Sequence, residues 1–146
     1  MTEYQGSERR RGGPDRRTES FERVRVLIVD DHALFRVGIR GILQQEPDLE
    51  IVGEADDPLS ALDAAFSTNP DLILMDLSLP APGGIETTQR IRRELPATAI
   101  VVLATDEDEE ALFEAIKAGA AAFILKDIAP EDLVMVIRRV AIGEFL

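Results

Sequence analysis

The chain contains no cysteine and only one histidine, His32, among its 146 residues. The absence of cysteine excludes disulfides, thiolate metal sites and cysteine nucleophiles. A single histidine excludes a metal centre with several histidine ligands. No apolar run approaches the roughly 18 residues that a membrane-spanning helix needs, and the arginine-rich N-terminus does not resemble a signal peptide. We therefore expect a cytoplasmic protein that makes no membrane contact.

Basic residues are few and unevenly distributed. Lys and Arg number 16 against 28 Asp and Glu, and the net charge of −12 argues against DNA binding by this chain itself. Residues 1–22 hold five arginines and five acids without an apolar period, which predicts a flexible arginine-rich tail. The excess of acids belongs to residues 23–146, a stretch with the length of one domain.

Apolar runs of strand length alternate with helical patterns from Val24 to Ile142. The five strand runs are almost continuously apolar, which is typical of a parallel sheet covered by helices on both faces. A first strand inside the sheet makes such a fold doubly wound, with its functional residues at the carboxyl ends of the strands. The sequence therefore predicts an α/β fold with a doubly wound, five-stranded parallel sheet. In the last helix, the predicted buried face comprises Leu133, Val136, Ile137 and Val140.

Four charged residues end strands and should meet at one edge of this sheet. Asp30 and Asp31 follow the first strand, Asp76 the third, and Lys126 the fifth. Neighbouring carboxylates repel one another unless one is protonated or a cation joins them. Carboxylates with no His or Cys nearby favour Mg²⁺, and a lysine beside the ion helps to stabilise a phosphoryl group. Asp76 is then a candidate nucleophile that forms an acyl phosphate.

These residues lie in motifs that resemble the receiver domains of bacterial two-component response regulators. The sequence is most similar to receivers of the LuxR-type (NarL/FixJ) DNA-binding regulators, over residues 24 to about 144. The markers, in order, are VLIVDDH (26–32), DLILMDLSLPAPGGIE (71–86), AIKAGAAAFILKD (115–127) and APEDLVMVIRRVAIGE (129–144). The resemblance implies a flavodoxin-like receiver fold. It also implies a signalling domain that catalyses only its own phosphorylation and dephosphorylation.

The resemblance assigns a role to each site residue. Asp76 is expected to accept a phosphoryl group from a histidine kinase or a phosphotransfer protein, and Lys126 to contact that group. The cofactor implied is Mg²⁺, held by Asp30, Asp31, Asp76 and the backbone carbonyl of Ser78. Phe123 occupies the position of the family's aromatic switch residue. Phosphorylation is expected to change the face around the fourth and fifth strands, and with it homodimerisation.

One position departs from the family pattern. An ungapped count between Asp76 and Lys126 places Ala104 where the family has a hydroxyl residue at the end of strand four, with Thr105 next. Losing such a charge-assisted hydrogen bond, worth about 1.5–3 kcal/mol, weakens the switch about ten- to a hundred-fold. Thr105 replaces it only if the strand slips by one residue, which reverses the side chain's direction. The alternative function is therefore a phosphorylation-independent receiver that serves as a protein-interaction module.

Enzymes on a similar sheet fit less well. Flavodoxin-like FMN binding needs a phosphate-binding loop rich in Gly, Ser and Thr after the first strand, where this chain has Asp30-Asp31-His32. A haloacid-dehalogenase-like phosphatase would have two acids spaced two residues apart there, and these are adjacent. We interpret His32 as packing at the start of the first helix.

Receivers that resemble this one precede a helix-turn-helix output domain. The chain stops at Gly143-Glu144-Phe145-Leu146, where the linker to such a domain would begin. We expect a piece of a transcription regulator rather than a stand-alone receiver. DNA is then contacted only through an output domain that is absent from this chain.

Overall fold

The computed structural model describes residues 23–144, and the predicted tail, residues 1–22, lies outside the described residues together with 145 and 146. Strands and helices alternate along the described chain. The strands are β1 (Val24–Val29), β2 (Leu49–Ala55), β3 (Leu72–Asp76), β4 (Ala99–Ala104) and β5 (Ala122–Leu125). The helices are α1 (Ala33–Leu43), α2 (Pro58–Thr68), α3 (Gly84–Glu94), α4 (Glu109–Ala118) and α5 (Pro130–Ala141).

The five strands form one parallel sheet in the order β2-β1-β3-β4-β5. The first strand lies inside the sheet, so the chain winds outward to β2 on one side and to β3, β4 and β5 on the other. This order confirms the predicted doubly wound α/β fold. The pairing of Val29 with Met75 brings the carboxyl ends of β1 and β3 side by side.

Alternation along the strands divides the core into two apolar clusters. On one face, Val26 and Ile28 of β1 and Leu74 of β3 pack with residues of α1 and α5. On the other face, α2, α3 and α4 cover a second cluster, whose strand residues include Leu27, Val29, Ile73, Met75, Ile100 and Val102. Because side chains alternate with a period of two, Asp30 and Asp76 lie on the same face of the sheet as Ile28 and Leu74, the face covered by α1 and α5.

Local signals in the sequence set the limits of several helices. Asp57 caps α2 by accepting a hydrogen bond from the Ser60 backbone amide at 2.7 Å, and Asn69 ends the helix with a φ of 49°. Pro130 occupies the first turn of α5, where its missing N–H removes no helical hydrogen bond. No helix within residues 23–144 has the length and apolar character to cross a membrane.

Candidate functional site

Three carboxylates and one imidazole meet where β1 and β3 end. Asp30 and Asp76 are fully buried, and the Asp31 side chain is 36% exposed. The Nδ1 atom of His32 lies 3.0 Å from Asp30 Oδ1, 3.2 Å from Asp31 Oδ1 and 3.8 Å from Asp76 Oδ2. One ligand atom from each of the four residues lies within 4.8 Å of the others. The site therefore concentrates negative charge in a small volume.

Lys126 supplies a positive charge to this cluster from the end of β5. Its Nζ lies 2.7 Å from Asp30 Oδ2 and 3.3 Å from Asp76 Oδ1. The Lys126 backbone N–H donates to the carbonyl of Ala104 at 2.8 Å, which ties the residue to the neighbouring strand. The ammonium also lies 4.7 Å from the centre of the Phe35 ring, a cation–π distance. The structure thus brings together the four strand-end residues that the sequence predicts to converge.

The two oxygens of Asp76 differ in their surroundings. Oδ1 accepts hydrogen bonds from the Ser78 backbone N–H at 3.0 Å and from the Ser78 hydroxyl at 2.9 Å. Oδ2 is buried and has no hydrogen-bond partner among residues 23–144. Burial raises the pKa of the Asp76 carboxyl, but the Ser78 amide, the Lys126 charge and the Ser78 hydroxyl outweigh it. The pKa of Asp76 therefore lies below its ordinary value, and the side chain is ionised at neutral pH.

The segment between β3 and α3 fits closely against the backbone of Asp76. A β-carbon on Gly84 would collide with the Asp76 carbonyl oxygen and would lie 3.0 Å from the Leu77 carbonyl oxygen. Only glycine allows the first turn of α3 to approach β3 so closely. Gly83, which precedes the helix, has a φ of 97°, a value that also favours glycine. In the sequence, Gly84 matches the family's loop after the phosphoacceptor, and its position in PAPGGIE is the signal for this contact.

Comparisons with known proteins settle the family. Residues 26–138 match the response regulator receiver domain family. The chain belongs to this family. The receiver is 42% identical over 123 residues to the transcriptional regulatory protein YxjL of Bacillus subtilis, covering 84% of this chain and 56% of YxjL. It is 37% identical over 121 residues to the nitrate/nitrite response regulator protein NarL of Escherichia coli K12, covering 83% and 56%.

Solved structures agree with this assignment. A LuxR-family response regulator from Aurantimonas superposes with a TM-score of 0.81 at 34% identity, over 85% of this chain and 89% of that one. The receiver domain of a NarL regulator from Mycobacterium tuberculosis gives 0.81 at 32% identity, over 84% and 99%. The chain spans about half the length of the curated relatives that it matches.

The donor set of the receiver fits a hard divalent cation. Asp30 and Asp76 place two buried carboxylates at one point, and the buried Oδ2 atom of Asp76 has no partner in the described part of the chain. Carboxylate oxygens are the ligands that Mg²⁺ prefers, and the exposed side of the cluster at Asp31 leaves room for the waters that Mg²⁺ retains. The Ser78 amide and hydroxyl bind Asp76, whereas the role of the Ser78 carbonyl as a ligand stays a prediction.

Phe123 and, by alternation from Val102, Ala104 lie on the face of the sheet covered by α2, α3 and α4. Ala104 ends β4 and is 3% exposed, while Thr105 follows it and is exposed. Phe123 of β5 is half-buried against the cluster covered by α2, α3 and α4. Its ring borders a cavity of about 430 Å³, which is also lined by Asp108 and Leu112. Ala104 therefore provides no hydroxyl at the end of β4, as the ungapped count predicts.

The interpretation of His32 as a packing residue is wrong for its side chain. His32 does stand at the start of α1, as its N-cap, but it forms no side-chain capping hydrogen bond and is 57% exposed. Its backbone N–H donates to Asp30 Oδ1 at 2.8 Å, which turns the residue toward the acids. A histidine therefore does lie beside the carboxylates, whereas the sequence pattern predicted a group of carboxylates with no histidine nearby. The signal in the sequence was the adjacency of His32 to Asp31.

Proposed function

We propose that this receiver accepts a phosphoryl group on Asp76 from a phosphohistidine of a histidine kinase or phosphotransfer protein, in a Mg²⁺-dependent reaction. The observation that carries this proposal is the Asp76 carboxylate itself. It is fully buried at the end of β3, and Oδ2 lacks a hydrogen-bond partner among the described residues. It also lies beside two further carboxylates and the Lys126 ammonium. These are the groups that hold a cation and a transferring phosphoryl group.

The proposed transfer forms an acyl phosphate. Oδ2 of Asp76 attacks the phosphorus, the phosphorus–nitrogen bond breaks, and its electron pair returns to the imidazole nitrogen of the donor. Ser78 contributes by holding Oδ1 with two hydrogen bonds, which leaves Oδ2 as the reacting atom. The lowered pKa of Asp76 keeps the nucleophile ionised at neutral pH. Dephosphorylation is the attack of water on the same phosphorus, which releases inorganic phosphate and restores the carboxylate.

The charges around Asp76 provide the electrostatic part of this reaction. Asp30, Asp31, Asp76 and the Ser78 carbonyl would hold Mg²⁺. The bound ion supplies positive charge to the phosphoryl oxygens as the bonds change. Lys126, 3.3 Å from Asp76 Oδ1, contacts the phosphoryl group with its ammonium. Positioned cations of this kind account for most of the catalysis in phosphoryl transfer.

Phosphorylation would then change the face formed by α4 and β5, and with it dimerisation. The cavity of about 430 Å³ beside Phe123 gives the ring space to change its position. On α4, Phe113 and Ile116 are 59% and 60% exposed, so this helix presents apolar surface for a second copy. The isolated receiver domain of RcsB from Salmonella enterica, studied with the phosphomimetic BeF₃⁻, has a similar fold, with a TM-score of 0.78 at 26% identity.

The output proposed for this receiver is control of transcription in the cytoplasm. The relatives YxjL and NarL are a transcriptional regulatory protein and a response regulator, respectively. The net charge of −12 opposes direct binding to DNA, so DNA recognition falls to an output domain outside this chain. The domain organisation that we propose is accordingly a tail at residues 1–22 and a receiver at 23–146.

Phosphorylation of the chain with acetyl phosphate in the presence of Mg²⁺ tests the proposal. Mass spectrometry should detect one phosphoryl group on the wild type and on Asp63→Asn, which removes an exposed acid of α2. Asp76→Asn should remain unmodified, and chelation of Mg²⁺ should prevent modification of the wild type. Equal modification of wild type and Asp76→Asn would exclude Asp76 as the acceptor.

Ala104 supports a second candidate function, that of a phosphorylation-independent interaction module. The residue ends β4 and has no hydroxyl with which to couple a phosphoryl group to the rest of the sheet. This function predicts that beryllofluoride binds, or fails to bind, without changing the oligomeric state. Sedimentation with and without beryllofluoride distinguishes the two functions, since a dimer linked to beryllofluoride argues against the module.

A further inference from the structure

His32 is placed as a potential ligand rather than as a helix cap. Its side chain makes no capping hydrogen bond, and its Nδ1 atom lies among the acids at the end of β1. The backbone hydrogen bond to Asp30 Oδ1 fixes the position of the residue from which the ring extends. Nδ1 also lies 3.4 Å from Lys126 Nζ, so this atom borders both the acids and the ammonium.

The distances around Nδ1 match those of ligands that share one ion. Neighbouring ligands of an octahedral ion with bonds of about 2.1 Å are separated by √2 times that length, about 3.0 Å. Nδ1 lies 3.0 Å from Asp30 Oδ1 and 3.2 Å from Asp31 Oδ1. The separation of Nδ1 from each carboxylate oxygen is therefore that of two neighbouring ligands of one ion.

A second, independent observation points to a ligand at this place. Oδ2 of Asp76 is fully buried, has no hydrogen-bond partner among residues 23–144, and lies 3.8 Å from His32 Nδ1. Buried polar atoms without partners are rare, and an ion that binds beside them is one common explanation. The potential donor set is thus one nitrogen and three carboxylates, rather than oxygen alone.

We propose that His32 is a nitrogen ligand of the cation site and that the receiver consequently binds Co²⁺ more tightly than Mg²⁺. Imidazole suits later transition ions, whereas Mg²⁺ and Mn²⁺ prefer oxygen. The His32 nitrogen therefore favours Co²⁺ selectively. The carboxylates attract all three ions. This inference rests on the proposed cation site but is independent of whether Asp76 is phosphorylated.

Calorimetric titration of each ion into the wild type and two variants tests the selectivity. His32→Ala and His32→Asn should bind Co²⁺ at least about tenfold more weakly, while Mg²⁺ affinity changes by less than about threefold. Asp31→Asn serves as the comparison, since the loss of a carboxylate should weaken the binding of all three ions. Equal effects of the His32 substitutions on Mg²⁺ and Co²⁺, or no effect on either, would overturn the assignment.

Pulsed EPR of bound Mn²⁺ gives a direct measurement that does not depend on the variants folding. The wild type should show coupling from one directly coordinated nitrogen, and His32→Ala should lose it while retaining the melting temperature of the ion-free wild type. Wild-type spectra without nitrogen coupling would refute His32 as a ligand. Failure of every divalent ion to bind the wild type would instead contradict the proposed cation site itself, so the two failures are distinguishable.

Discussion

The ammonium nitrogen of Lys126 lies 2.7 Å from Oδ2 of Asp30, a fully buried carboxylate at the end of β1, three positions away from β5 in the sheet. The contact passes over the ends of β4 and β3, and Nζ also lies 3.3 Å from Oδ1 of Asp76 at the end of β3. Two buried carboxylates at one sheet edge repel each other, and a buried charge without a partner is costly. Lys126 therefore holds the site together electrostatically, in addition to any contact with a phosphoryl group.

Replacing Lys126 should destabilise the domain in a manner that Mg²⁺ corrects. Lys126→Met keeps the length of the side chain but leaves Asp30 and Asp76 without their shared cation. We expect the free energy of unfolding to fall by about 3 kcal/mol, the usual effect of removing one partner of a buried ion pair. Saturating Mg²⁺ should restore more stability to the variant than it adds to the wild type, because the ion replaces the missing charge. Urea unfolding with and without Mg²⁺ measures both quantities.

Lys117, the other lysine of the chain, provides the control for this experiment. It is exposed on α4, and its ammonium lies 5.2 Å from the centre of the Phe113 ring. It makes no ion pair with Asp30 or Asp76. Lys117→Met should change stability by less than about 0.5 kcal/mol, with the same response to Mg²⁺ as the wild type. An equal response of both variants to Mg²⁺ would mean that Lys126 does not compensate the buried carboxylates.

Two helix glycines should respond to alanine in opposite directions. Gly84→Ala places a methyl group against the Asp76 carbonyl, and moving α3 away from β3 should reduce stability by about 1–3 kcal/mol. Gly38, on the exposed side of α1, has no atom within 4 Å of an added β-carbon. Gly38→Ala should therefore increase stability by about 0.5–1 kcal/mol through its helix propensity. Chemical denaturation measures both changes, and a destabilising Gly38→Ala would contradict the open surroundings of this residue.

Glu54 of β2 should make the stability of the domain depend on pH in the acidic range. Its carboxylate accepts hydrogen bonds from Arg40 at 2.6 and 2.9 Å. The Arg40 hydrogen bonds lower the pKa of Glu54 against the opposing effect of burial, and the charges of Arg40 and Arg36 lower it further. A depressed folded-state pKa means that the stabilisation is complete above the ordinary pKa of about 4.3. It is lost as the pH falls through the folded-state value.

Glu54→Gln tests this dependence. At pH 7 the variant should be less stable than the wild type by about 0.5–1 kcal/mol, since the pair is partly exposed to solvent. The difference should shrink steadily as the pH is lowered below about 4. Glu94→Gln, which removes an exposed acid of α3, should show no such trend in urea unfolding curves. A constant difference across the pH range would mean that Glu54 is not stabilised in its charged form.

The last helix was predictable from sequence because its apolar residues occupy a single face. Leu133, Val136, Ile137 and Val140 are all buried, as predicted, and Val134 joins them. The outer side of α5 carries charged residues such as Arg138 and Arg139. Where polar and apolar sides are clearly separated, the period of the pattern identifies both the helix and the direction that it faces.

The orientation of α1 could not be derived in the same way. Ile39 and Leu43 are buried, whereas Leu34 and Val37 are 84% and 50% exposed. Apolar residues surround this helix, so its period is compatible with more than one orientation. Packing against the sheet, which depends on the whole fold, selects the buried side.

The functional site, too, could be predicted from the sequence only in part. The rule that parallel strands end at one edge was sufficient to bring Asp30, Asp76 and Lys126 together. It could not predict that the His32 ring turns toward the acids or that the Ser78 hydroxyl binds Asp76. Those contacts depend on side-chain rotamers and on backbone turns just beyond the strands, which residue spacing does not specify.

Ala104 offers the sharpest test of how this receiver transmits a signal. The residue ends β4, two positions after Val102, which faces the cluster against which Phe123 packs. The resemblance to receivers implies that a hydroxyl at this position bonds a phosphoryl oxygen, and a charge-assisted hydrogen bond of this kind is worth about 1.5–3 kcal/mol.

Ala104→Ser should therefore strengthen the proposed beryllofluoride-dependent dimerisation by about tenfold or more, since about 1.4 kcal/mol corresponds to a factor of ten. Sedimentation equilibrium with and without beryllofluoride measures the dimer constants of wild type and variant. Thr105→Ala is the control, because Thr105 is exposed and its loss should leave both constants unchanged. If Thr105→Ala instead abolishes the response, Thr105 supplies the hydroxyl. If Ala104→Ser has no effect while beryllofluoride still binds, the phosphorylation-independent module becomes the better description of this receiver.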